Sequence, residues 1–153
     1  MWPQDSHGII DLDALLGESK DTVAVYCCGP GALLDAVEQR CATWPADALH
    51  IERFRPKAGA LDGVNEAFDI ELDSTGAVLT VGPTQSIVDV LEAANIQVPT
   101  SCREGTCGTC ETVLFEGTPD HRDSYLTEQE KQSGEVIMIC CSRAKSGRLV
   151  LDL

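Results

Sequence analysis

The sequence is poor in positive charge. Eleven Lys and Arg stand against 25 Asp and Glu, giving a formal net charge of −14 and a pI near 4.4. A field of that sign repels phosphate backbones and anionic lipid, so neither nucleic acid nor a membrane surface is an expected partner. Long apolar runs are also missing: none exceeds Val136 to Cys141, far short of a bilayer span. The opening residues Met1-Trp2-Pro3-Gln4-Asp5 carry no basic segment leading into an apolar stretch, so no secretory signal is expected and the location reads as cytoplasmic. Neither Gly-x-Ser-x-Gly nor His-Glu-x-x-His occurs, which leaves hydrolytic catalysis without a visible basis. The length of 153 residues suits one ordinary domain or two very small ones and excludes a multidomain flavoenzyme.

Cysteine, by contrast, is abundant, with eight in the chain. Without an export signal they point away from a disulfide scaffold and toward metal ligation or redox chemistry, so their setting along the chain matters. Val23 to Cys28 is a short β-branched run ending at Gly29-Pro30-Gly31, Ala32 to Glu38 spaces its apolar residues as a helix does, and Ala48 to Phe54 alternates as a second strand. This β-α-β unit cannot bury both faces of its sheet alone and belongs with a larger doubly wound domain. Pro56 to Glu66, with two glycines and no periodicity, reads as a linker. Beyond it, Phe68 to Leu72 and Ala77 to Val81 form a hairpin around Asp73-Ser74-Thr75-Gly76. A helix over 87–94 follows, capped by Thr84 or Ser86 and closed by Asn95. Further strands are expected at 111–115, 135–139 and 149–153, and a short helix starts at the Thr127/Glu130 capping box.

Three cysteines, Cys102, Cys107 and Cys110, share one loop in the pattern Cys-x4-Cys-x2-Cys, and Cys140 follows after 29 residues. That is the ligand spacing of a plant-type [2Fe–2S] cluster, in which two thiolates serve each iron. A loop wrapped round so small a group needs backbone freedom and close approach, which Gly105 and Gly108 supply, while Ser101, Thr106 and Thr109 bring donors for the sulfurs. Zinc also takes four cysteines, but usually as two short knuckles, whereas the fourth cysteine here is lone and distant. A thioredoxin-type dithiol at Cys107 and Cys110 would follow a strand and open a helix, and this one does neither. Cys140 is preferred over Cys141 because it ends the strand from Val136, and a slip of one residue turns the side chain to the other face. Cys41 and Cys141 read as small buried hydrophobes. His7 and His50 have no partner motif, and His121, within Pro119-Asp120-His121-Arg122-Asp123, reads as a satisfied polar loop residue rather than a ligand.

With Cys-Arg-Glu-Gly-Thr-Cys-Gly-Thr-Cys at 102–110 and Met-Ile-Cys-Cys-Ser-Arg-Ala-Lys-Ser at 138–146, residues 67–153 resemble the plant-type ferredoxin family from end to end. Val25-Tyr26-Cys27-Cys28-Gly29-Pro30, leading to Ala32-Leu33-Leu34-Asp35-Ala36-Val37, looks like the last β-α-β of the NAD-binding domain of ferredoxin-reductase-type flavoproteins. In this order the two pieces resemble the C-terminal part of the oxygenase reductase family that includes phthalate dioxygenase reductase and the vanillate demethylase reductase component. The resemblance implies an α+β, β-grasp ferredoxin-like module at 67–153, after a linker at 57–66 and a partial α/β, Rossmann-like NAD-domain remnant at 1–56. It implies a [2Fe–2S] cluster on Cys102, Cys107, Cys110 and Cys140. In the intact family an FMN domain and an NAD domain in the same chain feed a Rieske-type oxygenase.

The sequence departs from that pattern in having neither the flavin-binding barrel nor the Gly-rich first half of the NAD domain, so FMN and NAD are not expected here. Cys28, Gly29 and Pro30 match a nicotinamide contact but have no site to complete. Two functional readings result. One is a one-electron carrier between a flavin-containing reductase and a Rieske-type oxygenase, without a complete catalytic site of its own; the other is a fragment of an NAD(P)H-dependent oxygenase reductase. For the carrier, 14 acidic against 6 basic residues over 67–153 suggest docking on a basic patch, with Asp120, Asp123, Glu128 and Glu130 among the charges and the loop of Arg103, Glu104 and Thr106 as the electron's exit.

Overall fold

The computed structural model describes residues 8–19, 22–45 and 47–153, so His7 lies outside the described residues. Contacts divide the chain into two units, 1–54 and 55–153. None of the described helices is long and apolar enough to cross a membrane.

The first unit opens with a short helix, α1 (Leu12–Leu16), whose N-cap Asp11 accepts the Ala14 amide at 3.0 Å. Strand β1 (Val25–Cys28), helix α2 (Gly31–Arg40) and strand β2 (Leu49–Glu52) follow as a crossover, with β1 and β2 parallel and Val25 opposite Leu49. The helical spacing carries through: Leu34 and Val37 are buried with Cys41 and Ala48. Arg53, just past β2, buries its guanidinium between Asp35 at 2.8 Å and Glu38 at 2.9 Å. Those two carboxylates sit one helical turn apart on α2, so the arginine ties the helix to the strand end.

The second unit contains β3 (Phe68–Leu72), β4 (Ala77–Val81), α3 (Ile87–Ala93), β5 (Glu111–Glu116), β6 (Pro119–Asp120), α4 (Glu128–Ser133), β7 (Val136–Met138), β8 (Arg143–Ala144) and β9 (Arg148–Leu151). Five strands make one mixed sheet in the order β4-β3-β9-β5-β7, with β3 and β9 parallel and the other pairs antiparallel. Alternation in β3 sends Phe68, Ile70 and Leu72 inward, where they meet Ile87, Val88 and Leu91 of α3 and Leu149 and Leu151 of β9. Ser86, rather than Thr84, caps α3: its Oγ accepts the Asp89 amide at 3.1 Å and its own amide donates to Asp89 Oδ2 at 2.9 Å. Asn95 closes the helix at φ 61°, in the left-handed region that a residue after a C-cap often takes. The Thr127/Glu130 capping box starts α4 as expected.

Helix α1, the pairing of β6 with β8 and the end of β7 differ from the sequence reading. Helix α1 and the two-residue pairing of β6 with β8 were not anticipated, being too short to set up a periodic pattern. Strand β7 stops at Met138, two residues before Cys140, because the chain turns there: the amides of Cys141 and Ser142 both donate to the Met138 carbonyl, at 3.3 and 3.0 Å. Cys140 is therefore a turn residue, and its choice over Cys141 rests on burial in that turn rather than on strand alternation. The Pro/Gly-rich segment after residue 55 lies on the second unit. Arg122 donates to Asn65 Oδ1 at 2.6 Å and to the Val64 carbonyl at 3.0 Å, and Arg143 donates to the Glu66 carbonyl at 2.9 Å.

Candidate metal centre

The loop between α3 and β5 bends sharply enough to put Arg103, Gly105 and Gly108 at positive φ, +58°, +71° and +74°. At Gly105 the backbone also leaves no room for a side chain, since a Cβ there would stand 2.5 Å from Cys141 Sγ and 2.9 Å from Asp123 Cα. A Cβ at Gly108 would collide with the Tyr125 ring. The loop is thus packed closely against residues 123–125 and the turn holding Cys141.

Cys110 and Cys140 are buried, Cys102 is half-buried and Cys107 is exposed. The Cys110 carbonyl receives the Ile139 amide at 3.4 Å, which draws the start of β5 alongside the turn of Cys140. Cys102 Sγ accepts the amides of Glu104 and Thr106, each at 3.4 Å, and Cys107 Sγ lies 3.2 Å from Thr109 Oγ1. Burial acts upward on the Cys102 thiol, but the Thr106 hydroxyl, the two amides and the Cys107 thiol outweigh it and bring it down to about 6. The Cys110 thiol is pushed up by its hydrogen bond with Cys140 and then by burial. Cys140 is drawn down by Cys110, yet Cys141 and burial prevail and leave it at about 12. Cys102 thus interacts with Cys107, and Cys110 with Cys140, which Cys141 also influences; among the described residues no three Cys, His, Asp or Glu side chains are grouped as a site for a metal ion. Four thiols on one loop and the turn beside it, with Cys102 already favoured as thiolate by donated amides, suit a centre of two irons with two thiolates on each.

The supporting residues were not singled out from the sequence. Asp123, its side chain fully buried, accepts the amides of Tyr125 at 3.1 Å and Leu126 at 2.8 Å, and Lys131 Nζ donates to its carbonyl at 2.9 Å. The only local signal for it is an Asp two and three residues before the amides it binds. Ser124 donates its amide to the Gly105 carbonyl at 2.8 Å, and Ser142, beside Cys141, accepts the Arg122 amide at 3.2 Å. His121 corrects its expectation: the residue is half-buried, its two ring nitrogens are buried without a hydrogen-bond partner, and Nδ1 stands 3.7 Å from Asp123 Oδ1. Asp123 and Asp120 are likewise not free docking charges, since Asp123 is interior and Asp120 pairs with Arg122 at 2.8 Å. Arg103 is paired with Glu92 and lies 3.7 Å from Asp89, which leaves Glu104 as the exposed acidic residue of the loop.

Away from this centre, Cys41 is buried and Cys141 half-buried against the core. His50 stacks on Tyr26 with ring centroids 4.5 Å apart, beside a hollow of about 220 Å³ that Cys27, Cys28 and Glu52 also line.

Known proteins of similar sequence and shape agree on the chemistry. Residues 70–145 match the family described as a 2Fe-2S iron-sulfur cluster binding domain. Phthalate dioxygenase reductase of Burkholderia cepacia is 43% identical over 144 residues, covering 94% of this chain and 44% of its own. A solved structure of the Pseudomonas putida CBB5 protein NdmA with the ferredoxin domain of NdmD is 36% identical, with a TM-score of 0.55, over 57% of this chain and all of that one. An intact type IV self-sufficient cytochrome P450 monooxygenase superposes with a TM-score of 0.77 at 38% identity, over 99% of this chain and 20% of its own. The chain spans less than half the length of the curated relatives it matches.

Proposed function

This chain belongs to the 2Fe-2S iron-sulfur cluster binding domain family, and from that premise we propose that Cys102, Cys107, Cys110 and Cys140 hold the cluster. The observation that carries the assignment is that the backbone bond from Ile139 to Cys110 brings the turn of Cys140 beside the loop of Cys102, Cys107 and Cys110, which its glycines let close. When bound, a [2Fe–2S] cluster accepts and returns one electron. The chain's part is to stabilise the charge that this adds. The amides of Glu104 and Thr106 aim at Cys102 Sγ, and hydrogen bonds to sulfur raise the potential. Burial of Cys110 and Cys140 keeps water from one side, while the exposed Cys107 lies on the side open to a partner.

The electron comes, in this reading, from a flavin-containing reductase and goes to a Rieske-type oxygenase. The names of relatives, reductase components of phthalate dioxygenase and carnitine monooxygenase among them, support an oxygenase system. We assign residues 1–56 to the last β-α-β of an NAD-binding domain, which the parallel pairing of β1 with β2 across α2 supports. The chain then corresponds to a portion of an NAD(P)H-dependent oxygenase reductase. Eight free cysteines suit a reducing compartment, and we place the protein in the cytoplasm.

The test is a reductive titration of the purified protein followed by electron paramagnetic resonance. One electron per chain and about two irons with two acid-labile sulfides are expected. Stoichiometric zinc from cells well supplied with iron would overturn the reading.

A further inference from the structure

The stretch Asp120 to Tyr125 is hydrogen-bonded in three directions, toward three different places in the second unit. Toward the candidate ligand loop, the Ser124 amide donates to the Gly105 carbonyl at 2.8 Å, at the residue where there is no room for a side chain. Toward the turn of Cys140, the Arg122 amide donates to Ser142 Oγ at 3.2 Å. Toward the segment that leads out of the first unit, Ser124 Oγ accepts the Lys57 amide at 2.8 Å, and the Arg122 guanidinium holds Asn65 and Val64 at 2.6 and 3.0 Å. That guanidinium is aimed by Asp120, which accepts its Nε at 2.8 Å, and its side chain is only 5% exposed. Ser124 therefore joins two structures through one residue: its hydroxyl takes the strap of residues 57–65 and its amide takes the loop.

Gly105 lies between Glu104 and Thr106, the two residues whose amides point at Cys102 Sγ. Fixing the Gly105 carbonyl fixes the orientation of the Thr106 amide, because the Gly105–Thr106 peptide carries that carbonyl at one end and the Thr106 N–H at the other. At 3.4 Å the Thr106 bond to sulfur is sensitive to small rotations of that peptide. We propose that Arg122 and Ser124 are positioning residues for the cluster, and that the strap of residues 57–65, seated by them, sets the donor geometry at Cys102 and through it the reduction potential. This rests on the assignment of Cys102 as a ligand. Its consequence is that a segment at the start of the second unit tunes the centre without itself being a ligand.

The experiment compares the whole protein with Ser124→Ala, which removes the acceptor for the strap but keeps the amide bond to Gly105, and with Arg122→Lys, which keeps the charge but not the fork. Both should bind iron and sulfide as wild type does. Both should show altered g-values in the reduced state and a more negative potential, because weakened donation to sulfur stabilises the reduced form less. A threefold to tenfold fall in the equilibrium constant for reduction is expected, tenfold being about 59 mV for one electron. Ser124→Thr, which retains the hydroxyl, should restore the wild-type values. Should Arg122→Lys fail to fold, Ser124→Ala decides alone. A Ser124→Ala protein full of cluster, with wild-type potential and g-values, overturns the proposal even if it melts earlier, since a purely structural hydroxyl would do only that. Failure of the ligand assignment looks different: the wild-type protein itself would then bind no cluster.

Discussion

Ile139 donates its amide to the Cys110 carbonyl at 3.4 Å, so the third and fourth candidate ligands are drawn together by backbone, independently of their sulfurs. The bond explains how a residue 30 positions further along the chain comes beside a compact loop. It also separates Cys140, buried in the turn, from Cys141, whose sulfur lies against Gly105.

Cys140→Ser should therefore abolish assembly of a two-iron centre, with iron and acid-labile sulfide falling from about two each to well below one. Cys141→Ser should leave both near two, because its sulfur serves packing. Colorimetric iron and sulfide determinations and the visible absorption spectrum decide the matter, and a Cys141→Ser protein without iron would reverse the assignment.

The Thr127/Glu130 capping box, a cap at Thr84 or Ser86, the hairpin at Gly76 and the spacing of the four candidate ligand cysteines were all legible because each is a pattern within a few residues or a fixed spacing. Asp123, Ser124 and Arg122 were not, since what makes them important is contact with Gly105, Ser142 and Asn65, residues that only the folded sheet brings near. The acidic charges between Cys110 and Cys140 were counted correctly as charges. Their burial and pairing, which remove Asp120 and Asp123 from any docking surface, depend on where β6 and α4 pack.

Glycine replacement should discriminate sharply between positions of similar backbone. Gly76→Ala, at φ +68° in open space, should cost about 1 kcal/mol, the price of a left-handed alanine. Gly105→Ala, at φ +71° with Cys141 Sγ 2.5 Å from the added methyl, should cost several-fold more and lower cluster occupancy. Urea denaturation of the two variants, with iron content measured alongside, tests the contrast; equal losses would refute it.

The Asp123 carboxyl is held below the usual range. Burial alone would raise it, but His121, the Leu126 amide, the Lys131 ammonium and the Tyr125 amide together outweigh burial. A folded-state value below the unfolded one means that the unfolded chain binds the extra proton, so this group's contribution to stability is present above about pH 4 and is lost as pH falls through the depressed value. Urea midpoints measured from pH 7 down to pH 3 should fall more steeply in wild type than in Asp123→Asn, whose amide oxygen still accepts both backbone amides. Parallel profiles would show that Asp123 is not the group responsible.

Electron exchange with a flavin-containing reductase should slow as salt rises through about 0.15 M, where the screening length is roughly 8 Å. Because Arg103 is already neutralised by Glu92, the field at the loop is that of Glu104, and Glu104→Gln should reduce both the rate at low salt and its salt dependence. Stopped-flow mixing over an ionic-strength series gives the answer, and a rate indifferent to salt in both proteins would exclude steering.

Strand β9 lies at the heart of the sheet, parallel to β3 on one side and antiparallel to β5 on the other, although it is the last strand along the chain. During synthesis β3, β4 and β5 leave the ribosome without the strand that joins them, and about 80 residues separate β3 from its partner. Until residues 148–151 emerge, the loop of Cys102, Cys107 and Cys110 is carried on an unclosed half of the sheet, so on the proposed ligand assignment iron and sulfide delivery is expected to follow translation of β9.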